Sequence, residues 1–481
     1  MRRSSVSGLK FFVFIITAFL VLAQSASSIT IKEEEELGRE FMKIVLASFD
    51  LIEDPLIVDY VNQVGNRIVT NLPPSQPYTY RFFVVKEGVY NAFATPAGNI
   101  FLYSGLIEAM NSEEELAGII AHEVAHVQAR HISQKIERSK KIGLATLAGI
   151  AAGVFLGAAG SGEVASAVTL GSIAAGQSAT LAYSRENEIQ ADQLGMDYLA
   201  QAGYSGQGLL TILNKIRAKT WYGTDQIPSY LSTHPAVDDR LAYADGRLAK
   251  DKKSGKTSTP KTVYDFRVMH TQLTALYGDE RLVLRKFEAA VAEKPDDPLT
   301  YYGYGLVLAR SGNRQAAITY LRKALEKNAF SPEILTALGR VYFLDGRYEE
   351  ALNTLEGAVS IFSKYSEALY FLGRTQLEMG KLSEAEKSFQ TLINKSPEFR
   401  QAYYFLGITY GKQSNFADAH YTLGIYYLKK GNPDLARKQF ERALQNTADS
   451  SRKEEIKKIL KKLPGQDAKN QKEDQKKKKG E

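Results

Sequence analysis

Between Gly305 and Gly407 the chain repeats every 34 residues. Gly305, Gly339, Gly373 and Gly407 stand at that interval, and so do Ala317, Ala351, Ala385 and Ala419. This is the tetratricopeptide period, with a small residue where the first helix of a unit meets the second and alanine at the close crossing. Such a helical hairpin cannot bury its apolar face alone, so it stacks on its neighbours into an α-solenoid. Phe389 and Pro397 fall where the pattern takes an aromatic and a proline. Glu280 to Glu293 fits the second half of an earlier unit. After Gly407 the register slips. Leu423-Gly424 comes 17 residues on, so the second helix of one unit serves as the first helix of the next, and Ala436, Phe440 and Ala443 complete a last unit. About five units are expected over 264–463, the outer ones degenerate as caps are. Tyr301, Tyr302, Tyr304, Tyr342, Tyr370, Tyr403, Tyr404 and Tyr410 are candidates to line the groove of the stack. Packing between helices is the alternative for these rings.

Upstream, the run His122-Glu123-Val124-Ala125-His126 carries the chemistry. On a helix, HExxH places two imidazoles one turn apart on one face, where they can share a Zn²⁺ ion. Glu123 then reaches a water at the metal as general base. Ser112 and Glu115 read as a capping box that opens a single long helix from Glu113 to about Lys141.

At 481 residues the chain has room for two or more domains. Arg2, Arg3 and Lys10 precede the apolar run Phe11 to Leu22, and Ala23, Ser25 and Ala26 follow. That order reads as a signal peptide over 1–25, with an uncleaved anchor as the alternative. There is no cysteine, which excludes disulfides, cysteine metal ligands and a cysteine nucleophile. The net charge is +7, with lysines concentrated in the tail 464–481 and no basic stripe interleaved with aromatics, so nucleic acid is not expected as a partner. Residues 26–250 are expected to form the metal-bearing domain. Residues 251–263 read as a polar linker and 464–481 as a disordered lysine-rich tail. Ile31 to Leu46 and Asp54 to Leu72 read as amphipathic helices. Tyr78 to Val85 and Val89 to Tyr103 alternate as strands, with a turn at Pro96 to Asn99 that makes a hairpin. The Gly- and Ala-rich stretch Ile142 to Ala182 reads as packed core helices, with peripheral contact to a membrane as the sharper alternative.

Two histidines leave a catalytic zinc site one protein ligand short. A third histidine ten residues after the first is ruled out, because Ile132 stands there and Ala129 replaces the accompanying glycine. His131 would lie off the metal face of a continuous helix, and reads as structural or exposed. Glu188 is the best third ligand, with Asp192 one turn on to accept the outer N–H of a ligand histidine. A solvated face of Arg185, Glu186, Glu188 and Asp192 is the alternative. Arg240 and His234 are candidates to stabilise the oxyanion.

HEVAH, the run Ser184-Arg185-Glu186-Asn187-Glu188-Ile189-Gln190-Ala191-Asp192 and Thr233-His234-Pro235 together resemble the CAAX-prenyl-protease and HtpX-like zinc metallopeptidases. The resemblance covers about 33–250. Asn91-Ala92-Phe93-Ala94 before the Gly98 turn resembles that family's active-site edge strand, which implies a substrate-binding role for Asn91, Ala92, Phe93 and Ala94. The family favours Arg240 as the oxyanion group. The export signal and repeats resemble a periplasmic branch of the family that acts on outer-membrane proteins. That implies a Gram-negative periplasmic location, unfolded protein substrates, an outer-membrane assembly complex met through the repeats, and His234 as a plug in the metal's open position. The expected fold is mostly α: an α+β zincin-type metalloprotease domain with a small sheet, then the solenoid. The expected activity is zinc-dependent endopeptidase with one Zn²⁺ per chain. The competing function is a chaperone or adaptor whose site rarely fires. A membrane-embedded prenyl protease would need several spans that the sequence does not offer.

Overall fold

A computed structural model of the chain describes residues 29–72, 78–138, 183–222, 229–251, 265–363 and 365–463. The signal segment, the stretch Ile142 to Ala182, most of the linker and the lysine-rich tail lie outside the described residues. Among those described, no helix is long and apolar enough to cross a membrane. The chain divides into two units. One is Met1–Leu51 with Val64–Lys261, and the other is Ile52–Gln63 with Thr262–Glu481.

The first unit opens with α1 (Ile31–Ser48), started by a capping box between Thr30 and Glu33. Helix α2 (Pro55–Val69) follows, and its residues from Val64 onward belong to this unit. Strands β1 (Arg81–Val85), β2 (Ala92–Ala94) and β3 (Asn99–Tyr103) make a sheet in the order β1-β3-β2. β1 runs parallel to β3 with Phe83 opposite Phe101, and β2 runs antiparallel with Phe93 opposite the same Phe101. Phe83, Phe101 and Phe93 therefore stack across the sheet, with ring centroids 5.0 and 4.8 Å apart. The hairpin turn places Ala97 and Gly98 at φ 67° and 87°. β2 is left at the sheet's edge.

Helices α3 (Ser104–Glu108), α4 (Glu113–Gln128), α5 (His131–Arg138), α6 (Arg185–Gln201), α7 (Gln207–Tyr222), α8 (Ser229–Thr233) and α9 (Val237–Asp251) complete the described part of this unit. The Ser112 hydroxyl accepts from the Glu115 amide, but the Glu115 carboxylate takes Lys215 at 2.7 Å, so the cap is one-sided. The long helix expected from Glu113 to about Lys141 is two helices. Arg130 adopts φ 56° between them, held there by buried Glu34 at 2.7 Å and by the Ile29 carbonyl. A non-glycine residue takes that conformation only when its surroundings over-determine it.

The second unit is an array of twelve described helices: α10 (Phe266–Tyr277), α11 (Glu280–Glu293), α12 (Pro298–Arg310), α13 (Arg314–Lys327), α14 (Pro332–Leu344), α15 (Tyr348–Ile361), α16 (Ser366–Glu378), α17 (Leu382–Lys395), α18 (Arg400–Lys412), α19 (Phe416–Lys429), α20 (Pro433–Asn446) and α21 (Ser450–Lys462). A Cβ on Gly339 would meet Leu355 at 2.5 Å, and one on Gly373 would meet Phe389 at 2.8 Å. The period in glycine is thus a period in helix contact. Gly424 faces Phe440 at 2.7 Å in the same way, so α19 does serve both as partner of α18 and as first helix for α20. The expected groove tyrosines divide: Tyr302, Tyr342 and Tyr403 are buried, and the other five are partly exposed.

The segment Ile52–Gln63, which lies inside the stretch 26–250 expected as one domain, packs as part of the unit that holds the repeats. Gln272 donates to both oxygens of buried Asp54 at 2.8 Å, Ser366 donates to Asp59 at 3.3 Å, and Tyr60 meets Phe266 edge to face. These partners are far away in sequence, so no local boundary signal marks the segment.

Candidate metal centre

Helices α4 and α6 cross closely enough to share a site. A Cβ on Gly195 would lie 3.3 Å from the backbone of Ala121 and His122, so glycine permits the approach. α6 starts at the Ser184–Asn187 capping box, which fixes where Glu188 and Asp192 fall along it. The third contribution is the turn between α8 and α9. The Tyr230 amide donates to the Tyr90 carbonyl, the Tyr183 amide donates to the Thr233 carbonyl, and Ala236 adopts φ 61° to begin α9. These bonds place His234 and Arg240 beside α4.

His122, His126, Glu188 and His234 each offer a ligand atom, all within 4.8 Å of one another. Nε2 of His126 is 3.0 Å from Nε2 of His122 and 3.3 Å from Oε1 of Glu188. Nδ1 of His234 is 3.4 Å from Nε2 of His122 and 3.2 Å from Oε1 of Glu188. A tetrahedral ion with bonds of about 2.0 Å needs ligand atoms about 3.3 Å apart. The donor set therefore fits a metal of that kind. The charges fit as well. Glu123, Glu188 and Asp192 put three carboxylates in a fully buried site against one guanidinium, Arg240. A divalent cation balances them.

Neither oxygen of Glu123 has a hydrogen-bond partner among the described residues, and Nε2 of His234 lies 3.6 Å from its Oε1. Burial pushes the Glu123 carboxyl above its usual range, against the lowering pull of His234 and His122. Burial also pushes Glu188 up, but the fields of His234 and Arg240 and the bonds from His122 and His126 outweigh it, holding Glu188 well below the carboxylate range. Asp192 is lowered in the same way, with Arg240 and His122 overcoming its burial. Oδ1 of Asp192 lies 2.8 Å from Nδ1 of His122. Arg240 donates through Nε and Nη2 to the two oxygens of Asp192, at 2.7 and 2.8 Å. Its Nη1 lies 2.8 Å from Oε2 of Glu188 at angles that miss a hydrogen bond.

The model of peptidase family M48 matches residues 56–248. That segment is an M48 peptidase domain. Tetratricopeptide-repeat models match 284–332, 370–420 and 417–449, and a model of anaphase-promoting complex, cyclosome, subunit 3 matches 310–392. A β-barrel assembly-enhancing protease of Yersinia pestis is 28% identical over 322 residues, 67% of this chain and 63% of that protein. Its namesake in Escherichia coli strain K12 is 31% identical over 223 residues, 46% of this chain and 45% of that one. Mitochondrial metalloendopeptidase OMA1 of Arabidopsis thaliana is 32% identical over 165 residues, 34% of this chain and 30% of that protein. The chain thus matches less than two thirds of the length of each of these relatives.

Within the M48 domain, the structure brings together His122, Glu123, His126, Glu188, Asp192, His234 and Arg240. Ala92–Ala94 form the edge strand β2 with Asn91 directly before it, and all four are buried. Sequence reasoning missed two neighbours. Tyr183 stacks on His126 at 3.7 Å and Tyr230 on His234 at 4.4 Å. His131, read as structural or exposed, is buried with Nδ1 2.9 Å from Nδ1 of His126. The rotation argument assumed a continuous helix, and the break at Arg130 removes that premise. Tyr183 and Tyr230 lie one and four residues before the Ser184 and His234 motifs, and only that proximity could have flagged them.

Proposed function

We propose that the M48 domain is a zinc endopeptidase for unfolded protein chains and that the arrangement described is its closed, resting form. The observation that carries this reading is Glu123, a buried carboxylate with neither oxygen bonded among the described residues, next to two imidazoles and a carboxylate at tetrahedral spacing. A structural metal site has no use for such a group. Two imidazoles and one carboxylate suit zinc. The ion would be held by His122, His126 and Glu188, and it supplies Lewis acidity that polarises a carbonyl and makes water acidic near neutral pH.

Glu123 takes the proton from the attacking water and passes it to the leaving amine. Its raised pKa suits that shuttle, since a base nearer neutrality both accepts and returns a proton. Asp192 accepts from Nδ1 of His122 and fixes which nitrogen faces the metal. Arg240 holds Asp192 and Glu188. To serve as the oxyanion donor as well, it must turn Nη1 away from Glu188 once substrate is bound. An extended substrate adds to the sheet at the edge of β2, where backbone pairing reads little side-chain identity.

Nδ1 of His234, 3.4 Å from Nε2 of His122 and 3.2 Å from Oε1 of Glu188, would occupy the position beside these ligands that a water or substrate needs. Leaving that position would open the ligand group to water and substrate. His234→Ala is expected to raise basal hydrolysis of an unfolded protein several-fold, while Glu123→Gln lowers it steeply. Activity of His234→Ala no higher than Glu123→Gln would reject the plug, and full activity of Glu123→Gln would reject the peptidase.

The basic, apolar and small-residue order of 1–25 supports export, and a Gram-negative periplasm is the compartment proposed. The relatives named β-barrel assembly-enhancing protease support outer-membrane proteins as substrates, with the repeats engaging their assembly machinery. A second reading, a repeat-based chaperone with a silent site, draws on the complete burial of the metal-binding group. Retained barrel assembly by Glu123→Gln would assign assembly to binding.

A further inference from the structure

His131 offers a chemistry that the peptidase reading does not use. Nε2 of His126 faces the ligand group, so Nδ1 is the nitrogen that carries hydrogen when a metal is bound. Nδ1 of His131 stands 2.9 Å from it. With the His126 Nδ1–H as donor, Nδ1 of His131 accepts. The hydrogen of neutral His131 is then on Nε2, and Nε2 lies 3.0 Å from Oε1 of Gln190, an acceptor. The donor directions run one way from His126 to His131 to Gln190, with no donor facing a donor. Gln190 lies on α6 between Glu188 and Asp192. One helix therefore supplies a metal ligand, the direct partner of His122 and the end of the chain of bonds to His126.

We propose, on the basis of the metal-site reading above, that His131 and Gln190 are positioning residues: a neutral relay that fixes the ring direction and tautomer of His126 as a metal ligand. The two ligand histidines are anchored differently. His122 takes a carboxylate partner, Asp192, at 2.8 Å, and His126 takes a neutral imidazole. The neutral choice has a physical reason. Glu123, Glu188 and Asp192 against Arg240 and a dication already balance, and a fourth carboxylate would leave the buried group with an unpaired negative charge. The break at Arg130 gives His131 its place, because φ 56° there ends α4 and turns the next residue back toward His126. Tyr183 covers the face of His126 and confines the ring in the other direction.

The test is zinc affinity of the full chain, by competition with a chromogenic chelator, together with the visible spectrum of the cobalt(II) form. His131→Ala should weaken zinc binding about tenfold to a hundredfold, as loss of an outer partner of a ligand histidine does, and should alter the cobalt spectrum. His131→Asn, whose side-chain oxygen can accept from Nδ1 of His126, should recover most of both. Gln190→Ala should show a smaller loss, and His420→Ala, in the repeats, none. Wild-type affinity and spectrum in His131→Ala would overturn the relay and leave the peptidase reading intact. Equal losses in His131→Ala and His131→Asn, with matching losses of metal-free thermal stability, would show a packing role and overturn the relay as well. A wild-type chain that takes up no zinc would overturn both.

Discussion

The repeat array and the metal centre solve opposite problems. In the array each residue answers to a partner 16 positions away: Gly339 to Leu355, Gly373 to Phe389 and Gly424 to Phe440. At the candidate metal centre His122, Glu188 and Arg240 come from three helices that are far apart along the chain. The first kind of order is modular and tolerates insertion, slip and fraying at the ends. The second is all-or-none, because removing one charged member leaves the rest buried and unbalanced. Substitutions should therefore behave differently in the two regions.

The largest effect belongs to Glu123. Glu123→Gln should lower hydrolysis of an unfolded protein by about 10²–10⁴-fold while zinc stays bound, because Glu123 is not among the proposed ligands. Loss of zinc along with activity would mean that this residue, like its neighbours, serves binding and not proton transfer.

Next comes the array. Phe389 is fully buried against the Gly373 crossing. Phe389→Ala should cost about 3–5 kcal/mol. Hydrogen exchange should show the loss as local, strongest in α16 to α18, with zinc affinity unchanged. Uniform loss of protection along all twelve helices would break the nearest-neighbour picture.

Chelation should act on the other region. Removing zinc from a chain held at a thousandfold excess over its dissociation constant should lower stability by about 4 kcal/mol. Calorimetry with and without chelator should place that loss in the M48 domain. An unchanged trace would mean that the carboxylates are balanced without a metal.

The smallest effect concerns pH. Burial, and then the charge of Asp54, push Glu367 from an ordinary 4.5 up to about 7, against the pull of Arg340 and the bond from Gln272. Asp54 is raised too, chiefly by burial. A carboxyl raised on folding favours the folded state while protonated. That advantage is present below about 4.5 and is lost as pH rises toward about 7. The repeats should therefore melt a few degrees lower at about pH 7.5 than at about pH 5. Glu367→Gln should flatten that slope, and a wild-type slope in the variant would assign the effect elsewhere.

What could be read in advance follows the same division. The 34-residue period, the slip after Gly407 and the HEVAH spacing are local patterns, and the helices they imply are present. Glu188 and Asp192 were reachable because a two-histidine site needs an anion and one further helix offers it. His131 reads correctly as structural, but its contact with His126 was not legible, because it depends on Arg130 leaving the helix, and that depends on Glu34 and Ile29, far upstream. The Ile52–Gln63 segment escaped for a similar reason. Its helical pattern is ordinary, and its grouping shows in distant partners such as Gln272, Ser366 and Phe266. Tyr183 and Tyr230 carry no signal of their own, since a buried ring beside a histidine looks in sequence like any other tyrosine.

The central claim is that three side chains from two helices hold one ion. Metal analysis of the purified full chain tests it directly, comparing wild type with His122→Ala and Glu188→Gln. One zinc per wild-type chain, and well under one in either variant at equal folded content, is the result expected. Stoichiometric zinc in Glu188→Gln, or none in the wild type, would contradict it.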